Sequence, residues 1–461
     1  MVMKKFFGDR AFYKRVLAIS TPIIIQNGIT NFVNLLDNVM VGALGTEAMS
    51  GVSIVNQFVF IFNLLIFGAM SAGGIFTAQY HGRGDVAGVR NTFRIKLLIS
   101  VILGILGVAV FMIFDDALIS TFLHTGESSG DLELTLAYGR EYLAVFVIGL
   151  IPYAVSQSYA STLRETGDTV IPMYSSVIAL VCNCGLNYVF IFLLSMGVRG
   201  AAVATVVSRL AELIFIVAVT HLRSSRYGFI KGAYRSFALP RSLVANVALR
   251  GMPLILNECL WALAMTMRNQ AYSVRGLDVV AAVNIASVIV NLASVVYLSC
   301  GSSIAIIVGA ELGAGDIEKA RDSAWKLLAF SIICAAVTSV VMAVVAPFFP
   351  LIYDTTDAVR DIATYMTLIS ALYLPFDAIS HATYFTVRSG GNVAVTFLMD
   401  CGFMWVVVIP VVMCIAHLTS LDIFSFYLIG QGTAILKPIA GIVLLCRGKW
   451  ARRLVGDEPS T

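Results

Sequence analysis

Long apolar stretches separated by short polar turns recur along nearly the whole chain. Each stretch reaches about 20 residues, the length that an α-helix needs to cross the hydrocarbon core of a bilayer. The stretches lack the strict alternation of barrel strands, and a chain in lipid must satisfy its backbone hydrogen bonds internally, so each is predicted to be a helix. The pattern predicts twelve spans, at approximately 16–41, 50–79, 93–114, 135–162, 170–195, 200–222, 246–271, 280–309, 324–346, 361–386, 394–416 and 422–446.

A motif that occurs twice indicates that the chain is duplicated. Segment 82–85 reads Gly-Arg-Gly-Asp and is followed by Arg90, and segment 313–316 reads Gly-Ala-Gly-Asp and is followed by Arg321. The same register is kept without a gap over about seventy residues, far more than a chance match of one short turn. The chain is therefore predicted to be two copies of one unit, with its function between them.

The duplication and the twelve spans together predict the domain organisation. We expect an N-terminal six-helix lobe over 1–222, a basic cytoplasmic linker over 223–245, and a C-terminal six-helix lobe with a short tail over 246–461. The predicted fold class is an all-α polytopic membrane protein, with twelve transmembrane helices in two pseudo-symmetric lobes around a cavity.

Composition and charge agree with a membrane protein. Hydrophobic residues make up 59% of the chain and charged residues only 13%, about half the share of a soluble domain. Lys and Arg gather in the loops of one side, including the linker, which predicts that both termini lie in the cytoplasm of a multi-pass protein of the cell's inner membrane. The net charge of +4 arises in these loops and indicates topology rather than nucleic-acid binding.

The motifs of enzymes and ATP-driven pumps are missing from the sequence. It contains no nucleophile triad, no Walker loop and no metal motif of the His-Glu-x-x-His type. Most of the eight cysteines fall inside apolar stretches, which is typical of buried, inert thiols. We therefore predict that the protein is not an enzyme and needs no cofactor.

Three carboxylates within the apolar stretches are the main candidates for chemistry. Asp37, Glu258 and Asp377 each cost about 2.5–3.5 kcal/mol at bilayer depth, so each requires a reason. Pro253 and Pro375 lie close before Glu258 and Asp377, and prolines free backbone carbonyls that could bind an alkali cation together with the acids. A single desolvated acid suits a proton equally well, so Na⁺ and H⁺ both stay open. The structural alternative is a buried acid paired with Arg268 or His381.

Three segments resemble signatures of the MATE (multidrug and toxic compound extrusion) family. They are Pro22 leading to Leu36–Gly42, Leu163–Asp168 and Gly197–Ala202, and the resemblance runs from about Ser20 to Arg447. It implies a secondary transporter with two six-helix lobes that exports organic cations against Na⁺ or H⁺.

The resemblance also implies roles for particular residues. In members of the NorM type, one acid on the seventh helix and one on the tenth help to form a C-terminal cation site, and Glu258 and Asp377 match them, so Na⁺ could bind there. Asn183, Asn187 and Thr205 match positions that accompany the first-helix acid, here Asp37, in an N-terminal cation site. Because Asn187 stands where some members carry a second acid, we expect the C-terminal acids to be the coupling site.

Polar residues on other spans are candidates for a substrate cavity. For the asparagines, hydrogen bonding between packed helices is an equally good explanation. The candidates are Asn34, Asn56, Asn284, Asn291, Tyr373 and His381.

The sequence thus predicts a monomeric, ion-coupled antiporter that exports bulky, amphipathic, cationic organic compounds by alternating access. Its partners would be a small organic substrate, a monovalent cation and the bilayer, and no nucleic acid. The alternative is a flippase of lipid-linked precursors, whose pyrophosphate group would require several cationic residues in the cavity. Only Arg209 and Lys437 lie deep in apolar stretches, and each has an acidic neighbour, Glu212 and Asp400 respectively.

Overall fold

The computed structural model describes residues 6–115 and 131–456, except the side chains of Asn34 and Leu35. Within these ranges twelve helices are long and apolar enough to cross a membrane, which confirms the predicted all-α class and the number of spans. They are α1 Arg10–Gly42, α2 Thr46–Arg83, α3 Val86–Ile113, α4 Leu132–Glu165, α5 Val170–Leu193, α6 Gly197–Leu222, α7 Arg241–Ser273, α8 Leu277–Gly313, α9 Ile317–Val345, α10 Asp357–Ser389, α11 Val393–Leu418 and α12 Ile423–Arg447.

Most helices extend beyond the predicted apolar stretches into polar sequence. Polar side chains at some helix starts bind free backbone amides there. The side chain of Thr356 accepts a hydrogen bond from the Val359 amide at 3.4 Å and thereby begins α10 at Asp357. Helix α7 begins at Arg241, inside the segment predicted as a linker, directly after Pro240. Proline suits this position because it fixes a suitable backbone angle and needs no amide partner.

Two helices contain π-helical turns, which widen the helix and occur frequently at functional sites. Helix α5 ends in one such turn at Tyr188–Leu193, immediately after Asn187. Helix α11 contains two, at Leu398–Gly402 and Met404–Val408, and the first of them includes Asp400.

The chain divides into two compact units. The first unit consists of Ile25–Thr77 and Asp85–Gly251, and in it α4 packs against α3 and α6, and α6 also packs against α5. The second unit consists of the described residues of Met1–Ile24, Ala78–Gly84 and Met252–Thr461, with α10 packed against α8, α9 and α12. The lobe boundaries at 222 and 246 stay a prediction.

The first glycine of each Gly-x-Gly-Asp turn allows the ends of two helices in the second unit to touch. A Cβ on Gly82 would lie 1.8 Å from the carbonyl oxygen of Ala310, and a Cβ on Gly313 would lie 1.9 Å from that of Gln79. Because no side chain fits at these distances, glycine is required at both equivalent positions. The duplicated motif therefore makes a reciprocal contact between backbones.

The second glycine and the aspartate of the motif shape the turn itself. Gly84 and Gly315 have φ angles of 77° and 86°, in the left-handed region that favours glycine. Asp85 accepts a hydrogen bond from the backbone amide of Gly88 at 2.8 Å, and Asp316 accepts one from the backbone amide of Lys319 at 3.2 Å. Each aspartate thus caps the helix that follows its turn.

The arginine that follows each turn binds the segment beyond the last helix of its own half. In the first unit, Arg90 donates to the carbonyl oxygens of Phe229 at 3.2 Å and Gly228 at 3.3 Å. In the second unit, Arg321 donates to the carbonyl oxygen of Gly448 at 3.1 Å. Both segments are therefore held by equivalent arginines of the duplicated motif.

The predicted linker is further anchored within the first unit. Tyr227 is buried and donates its hydroxyl to Asp168 at 2.6 Å, and Arg226 forms an ion pair with the same carboxylate at 2.9 Å. Burial, together with this hydrogen bond, raises the pKa of Tyr227 to about 12, so its hydroxyl remains a donor at neutral pH.

Candidate functional site

In the first unit, four predicted site residues form one hydrogen-bonded chain across α1, α5 and α6. The side-chain amide of Asn187 donates to Asp37 at 2.5 Å and to the side-chain oxygen of Asn183 at 3.2 Å. The amide of Asn183 donates in turn to the hydroxyl of Thr205 at 3.4 Å. The sequence therefore named residues that the fold brings together, although they lie on three different helices.

The local structure explains how this chain is positioned. Asn183 and Asn187 lie one turn apart on α5, so their side chains stack on one face of the helix. They are 1% and 0% exposed, and the side-chain oxygen of Asn187 has no hydrogen-bond partner within the described part of the chain. The network thus combines a carboxylate with neutral amide and hydroxyl oxygens, a set that suits a hard cation.

A cationic side chain of the same unit lies near this network but is already neutralised. Arg209 forms an ion pair with Glu212 at 3.2 Å, and its guanidinium lies 4.6 Å from the ring centre of Tyr153. A cavity of about 10 Å³, roughly the space that one water molecule needs, is lined by both Arg209 and Thr205. The predicted pairing of Arg209 with Glu212 is confirmed.

In the second unit, Glu258 on α7 and Asp377 on α10 are both half-buried. No ion pair is formed by either acid with any residue that the structure describes, and no hydrogen bond joins them to each other. The two alternative partners predicted for these acids make no ion pair with them. The ring of His381 packs 4.9 Å from the ring of Tyr297. The Nε of Arg268 is buried and makes no hydrogen bond to any described residue. The fold therefore leaves both acids without an ion-pair partner among the described residues.

A buried polar triad in the second unit was not predicted as a site. Asp400 forms an ion pair with Lys437 and accepts a hydrogen bond from the side-chain amide of Asn257 at 2.9 Å. The neutralisation of Asp400 by Lys437 was expected, and it is confirmed. The role of Asn257 was missed, because only its position beside Glu258 could have drawn attention to it.

The substrate-cavity candidates have different surroundings. Tyr373 is 9% exposed and belongs to the apolar core of the second unit, with Tyr272 and Tyr427. His381 and Asn56 are half-buried, Asn284 and Asn291 are exposed, and the side chain of Asn34 lies outside the described residues. Their role in substrate binding stays a prediction.

The acids inside the spanning helices thus fall into two groups. One group has a cationic partner: Glu165 pairs with Lys96 at 2.5 Å, Glu212 with Arg209, and Asp400 with Lys437. The other group forms no ion pair within residues 6–115 and 131–456, and it includes Asp37, Glu258 and Asp377. These are the three that the sequence identified as coupling candidates.

Known proteins resemble this chain over most of its length. A probable multidrug resistance protein NorM of Thermotoga maritima is 22% identical over 452 residues, which cover 96% of this chain and 94% of that protein. Multidrug and toxin extrusion protein 1 of Xenopus tropicalis is 23% identical over 445 residues, which cover 95% of this chain and 75% of that protein.

Solved structures show the same fold. A crystal structure of MATE in complex with MaL6 has a TM-score of 0.86 at 21% identity, covering 97% of this chain and 98% of that one. An outward-facing multidrug resistance MATE family transporter of the MOP superfamily has a TM-score of 0.85 at 21% identity, covering 96% and 98% of the two chains. The family model described as MatE matches residues 22–189 and 253–414, well over half of the sequence. The chain therefore belongs to the MatE family, whose members are membrane transporters and not enzymes.

Proposed function

We propose that the protein is an ion-coupled antiporter that exports bulky, amphipathic, cationic organic compounds by alternating access. The relatives with this sequence pattern are named as multidrug resistance or extrusion proteins, which supports the proposed class of substrate. The transporter would act as a monomer in the cell's inner membrane, with both termini in the cytoplasm and with Na⁺ or H⁺ as the coupling ion.

The observation that carries this proposal is that Asp37, Glu258 and Asp377 form no ion pair among the described residues. A carboxylate at bilayer depth costs about 2.5–3.5 kcal/mol, and the other deep acids of this chain offset that cost with a lysine or arginine. A mobile monovalent cation would neutralise the three remaining acids in the same way. Because the bound ion changes the net charge of the site, it can favour one access state over the other.

The driving force is sufficient for export. One charge moving through about 100 mV of membrane potential supplies about 2.3 kcal/mol. Because about 1.4 kcal/mol corresponds to a factor of ten, one coupled ion supports roughly fifty-fold accumulation of a substrate.

The lysine and arginine side chains inside the spanning helices give the flippase alternative less support. Arg209, Lys437 and the fully buried Lys96 are each paired with an acid of the same unit. A pyrophosphate group would have to compete with these internal carboxylates for every one of them. We therefore keep cation-coupled export as the proposed function.

Transport by proteoliposomes tests the proposal. Ethidium, a fluorescent organic cation, would be loaded and its movement followed under an imposed Na⁺ gradient at constant pH, and under a pH gradient at constant Na⁺. We expect Glu258→Gln and Asp377→Asn to abolish gradient-driven transport while leaving expression unchanged. Asp357→Asn is the matched control, because Asp357 lies on the same helix as Asp377 but is exposed at its end. Wild-type rates in both site variants would contradict a coupling role for these acids.

The two gradients also distinguish the coupling ions. We propose Na⁺ for Glu258 and Asp377, because two carboxylates and neighbouring neutral oxygens suit an alkali cation, whereas a proton needs only one acid. Transport that ignores Na⁺ and follows only the pH gradient would replace Na⁺ with H⁺. In that case Asp37→Asn would show whether the first unit takes part.

Cysteine labelling tests the proposed orientation. The sequence predicts that positions near Thr125–Ser129 face the outside, and they lie outside the described residues. In a background without the eight native cysteines, Cys at these positions, and Thr355→Cys in the loop before α10, should react with a membrane-impermeant maleimide added outside the cell. Arg226→Cys, in the basic segment after α6, should react only after the membrane is opened. The reverse pattern would place both termini outside.

A further inference from the structure

The loop between α6 and α7 is strongly basic. Helix α6 ends at Leu222, and α7 begins at Arg241. From position 213 to position 257 the chain carries six lysine and arginine residues and no acidic residue. They are Arg223, Arg226, Lys231, Arg235, Arg241 and Arg250. Any counter-charge must therefore come from another segment or from outside the protein.

The buried side of this loop is fixed to α3 of the first unit. Arg94 donates to the carbonyl oxygens of Ala233 at 2.7 Å and Gly232 at 2.8 Å, in addition to the bonds from Arg90. The ring of Phe229 is buried and packs 5.4 Å from that of Phe93. The loop is therefore held in one position against α3.

The exposed side of the loop carries cations without acidic partners. Arg226 is paired with Asp168, and the guanidinium of Arg250 lies 5.3 Å from the ring centre of Phe76. The other four cationic side chains are exposed, and none forms an ion pair with any residue that the structure describes. They are Arg223, Lys231, Arg235 and Arg241.

Two aromatic rings are exposed among these cations. Tyr234 and Phe237 are 48% and 46% exposed, and both lie between Lys231 and Arg241 in the sequence. The hydroxyl of Tyr234 is hydrogen-bonded to that of Tyr159 on α4, which holds the ring in place. Phe237 has no polar group, so contact of its ring with water is unfavourable. Aromatic rings flanked by cations are typical of segments at a membrane surface.

The contacts with α3 also indicate the depth of the loop. The apolar stretch of α3 is predicted to begin at position 93, so Arg94 lies where this helix enters the bilayer. Because Arg94 binds the carbonyls of Gly232 and Ala233, the loop lies beside this end of α3. Exposed side chains of a loop at this depth are within reach of lipid headgroups.

We propose that the exposed side chains of Lys231, Tyr234, Arg235, Phe237 and Arg241 form a docking surface for anionic phospholipids of the cytoplasmic leaflet. The cations attract the negative headgroups, and the two rings enter the boundary between headgroups and acyl chains. Charge complementarity selects this partner, because the cytoplasmic leaflet carries the negative surface potential. The inference rests on the proposed orientation, which cysteine labelling tests separately.

A fluorescent reporter on the loop tests this surface in the purified, full-length protein. Ala238→Cys, at an exposed position in the cysteine-free background, would carry bimane. Its emission would be followed in detergent micelles as phosphatidylglycerol is added, with phosphatidylcholine of the same acyl chains as the neutral reference. We expect the anionic lipid to give half of the emission change at a mole fraction at least tenfold lower, because each nearby cation adds to the attraction.

Variants separate the role of charge from that of the rings. Lys231→Gln, Arg235→Gln and Arg241→Gln combined should bring the anionic lipid to within about threefold of the neutral one. Phe237→Ser should weaken the binding of both lipids, because it removes an apolar contact. Lys319→Gln is the matched control, an exposed lysine near the start of α9 with acidic residues beside it in the sequence, and should change nothing.

The outcomes decide for or against the lipid surface. Equal binding of the two lipids by wild type overturns it, as does an unchanged preference in the triple variant. If the triple variant fails to fold, Arg235→Gln decides, with an expected two- to fivefold loss for one cation. Polyglutamate that displaces the lipid and binds equally well to Phe237→Ser would assign the surface to an acidic protein instead.

The lipid surface and the proposed function fail separately. Lipid binding in micelles depends neither on an ion gradient nor on the orientation of the protein. The triple variant should transport ethidium at the wild-type rate in liposomes of neutral lipid, where its cations have no anionic partner. Absence of gradient-driven transport by the wild type in these liposomes would contradict antiport and leave the lipid preference intact.

Discussion

The ion pair between Asp400 and Lys437 offers a quantitative test of how this transporter keeps charges inside the membrane. The two side chains are 12% and 14% exposed, so both are largely removed from water and from lipid headgroups. We expect Lys437→Met, which keeps most of the side-chain volume, to leave Asp400 buried with only the Asn257 amide as a partner.

The expected cost follows from the burial of the pair. Removing one partner of a buried ion pair costs about 3–5 kcal/mol, because the remaining charge is not compensated. We expect about 3 kcal/mol here, at the lower end, since Asp400 retains its hydrogen bond from Asn257. Unfolding of the purified protein in mixed micelles with increasing SDS measures this free energy directly.

A double variant separates charge from packing. Asp400→Asn combined with Lys437→Met removes both charges, and replacing a buried ion pair by neutral groups of similar volume is often nearly neutral. We therefore expect the double variant to regain stability to within about 1 kcal/mol of wild type. If the double variant is as unstable as Lys437→Met, the loss arises from packing of α12, and the electrostatic reasoning is wrong.

Other predictions concern the turns and loops. Gly82→Ala should destabilise the protein by about 3 kcal/mol or more, because the new Cβ would overlap the Ala310 carbonyl. Gly84→Ala should cost only about 1–2 kcal/mol, for placing alanine in a left-handed backbone conformation. Equal losses of stability in SDS unfolding would contradict this difference. Arg275→Ala removes four bonds of 2.8–3.0 Å to carbonyls at the end of α11 and should lower stability by about 2 kcal/mol; an unchanged melting temperature would show that these bonds add nothing. Gln79→Leu removes the side-chain oxygen that accepts a hydrogen bond from the Leu454 amide. We therefore expect trypsin to cleave the C-terminal segment faster in this variant. An unchanged cleavage rate would mean that other contacts hold the segment.

Local features of the sequence were enough to predict much of this structure. The length of each apolar stretch determines whether it can span a bilayer, and this length is visible without knowing any partner. The number of helices and the all-α class followed from it, and the chain's duplication is visible as a register shared by the two Gly-x-Gly-Asp turns. Asp37, Glu258 and Asp377 stood out because a carboxylate in an apolar stretch is costly wherever the chain places it.

Partners distant in sequence were decided only by the tertiary structure. The sequence of helix α11 cannot show that Asp400 accepts a hydrogen bond from Asn257, which lies 143 residues away. Nor can it show that Lys437 balances the charge of Asp400. The need for glycine at position 82 also depends on the backbone of another helix.

The two kinds of information differ for a physical reason. Transfer of a segment into lipid depends on the composition of that segment, so the sequence by itself determined which residues span the membrane and which acids are costly there. The electrostatic attraction between two charges weakens as the distance between them grows. Neutralisation of an acid therefore depends on which side chains the packed helices bring into contact. Only the folded unit therefore decided that Asp400 forms an ion pair and that Glu258 forms none among the residues described.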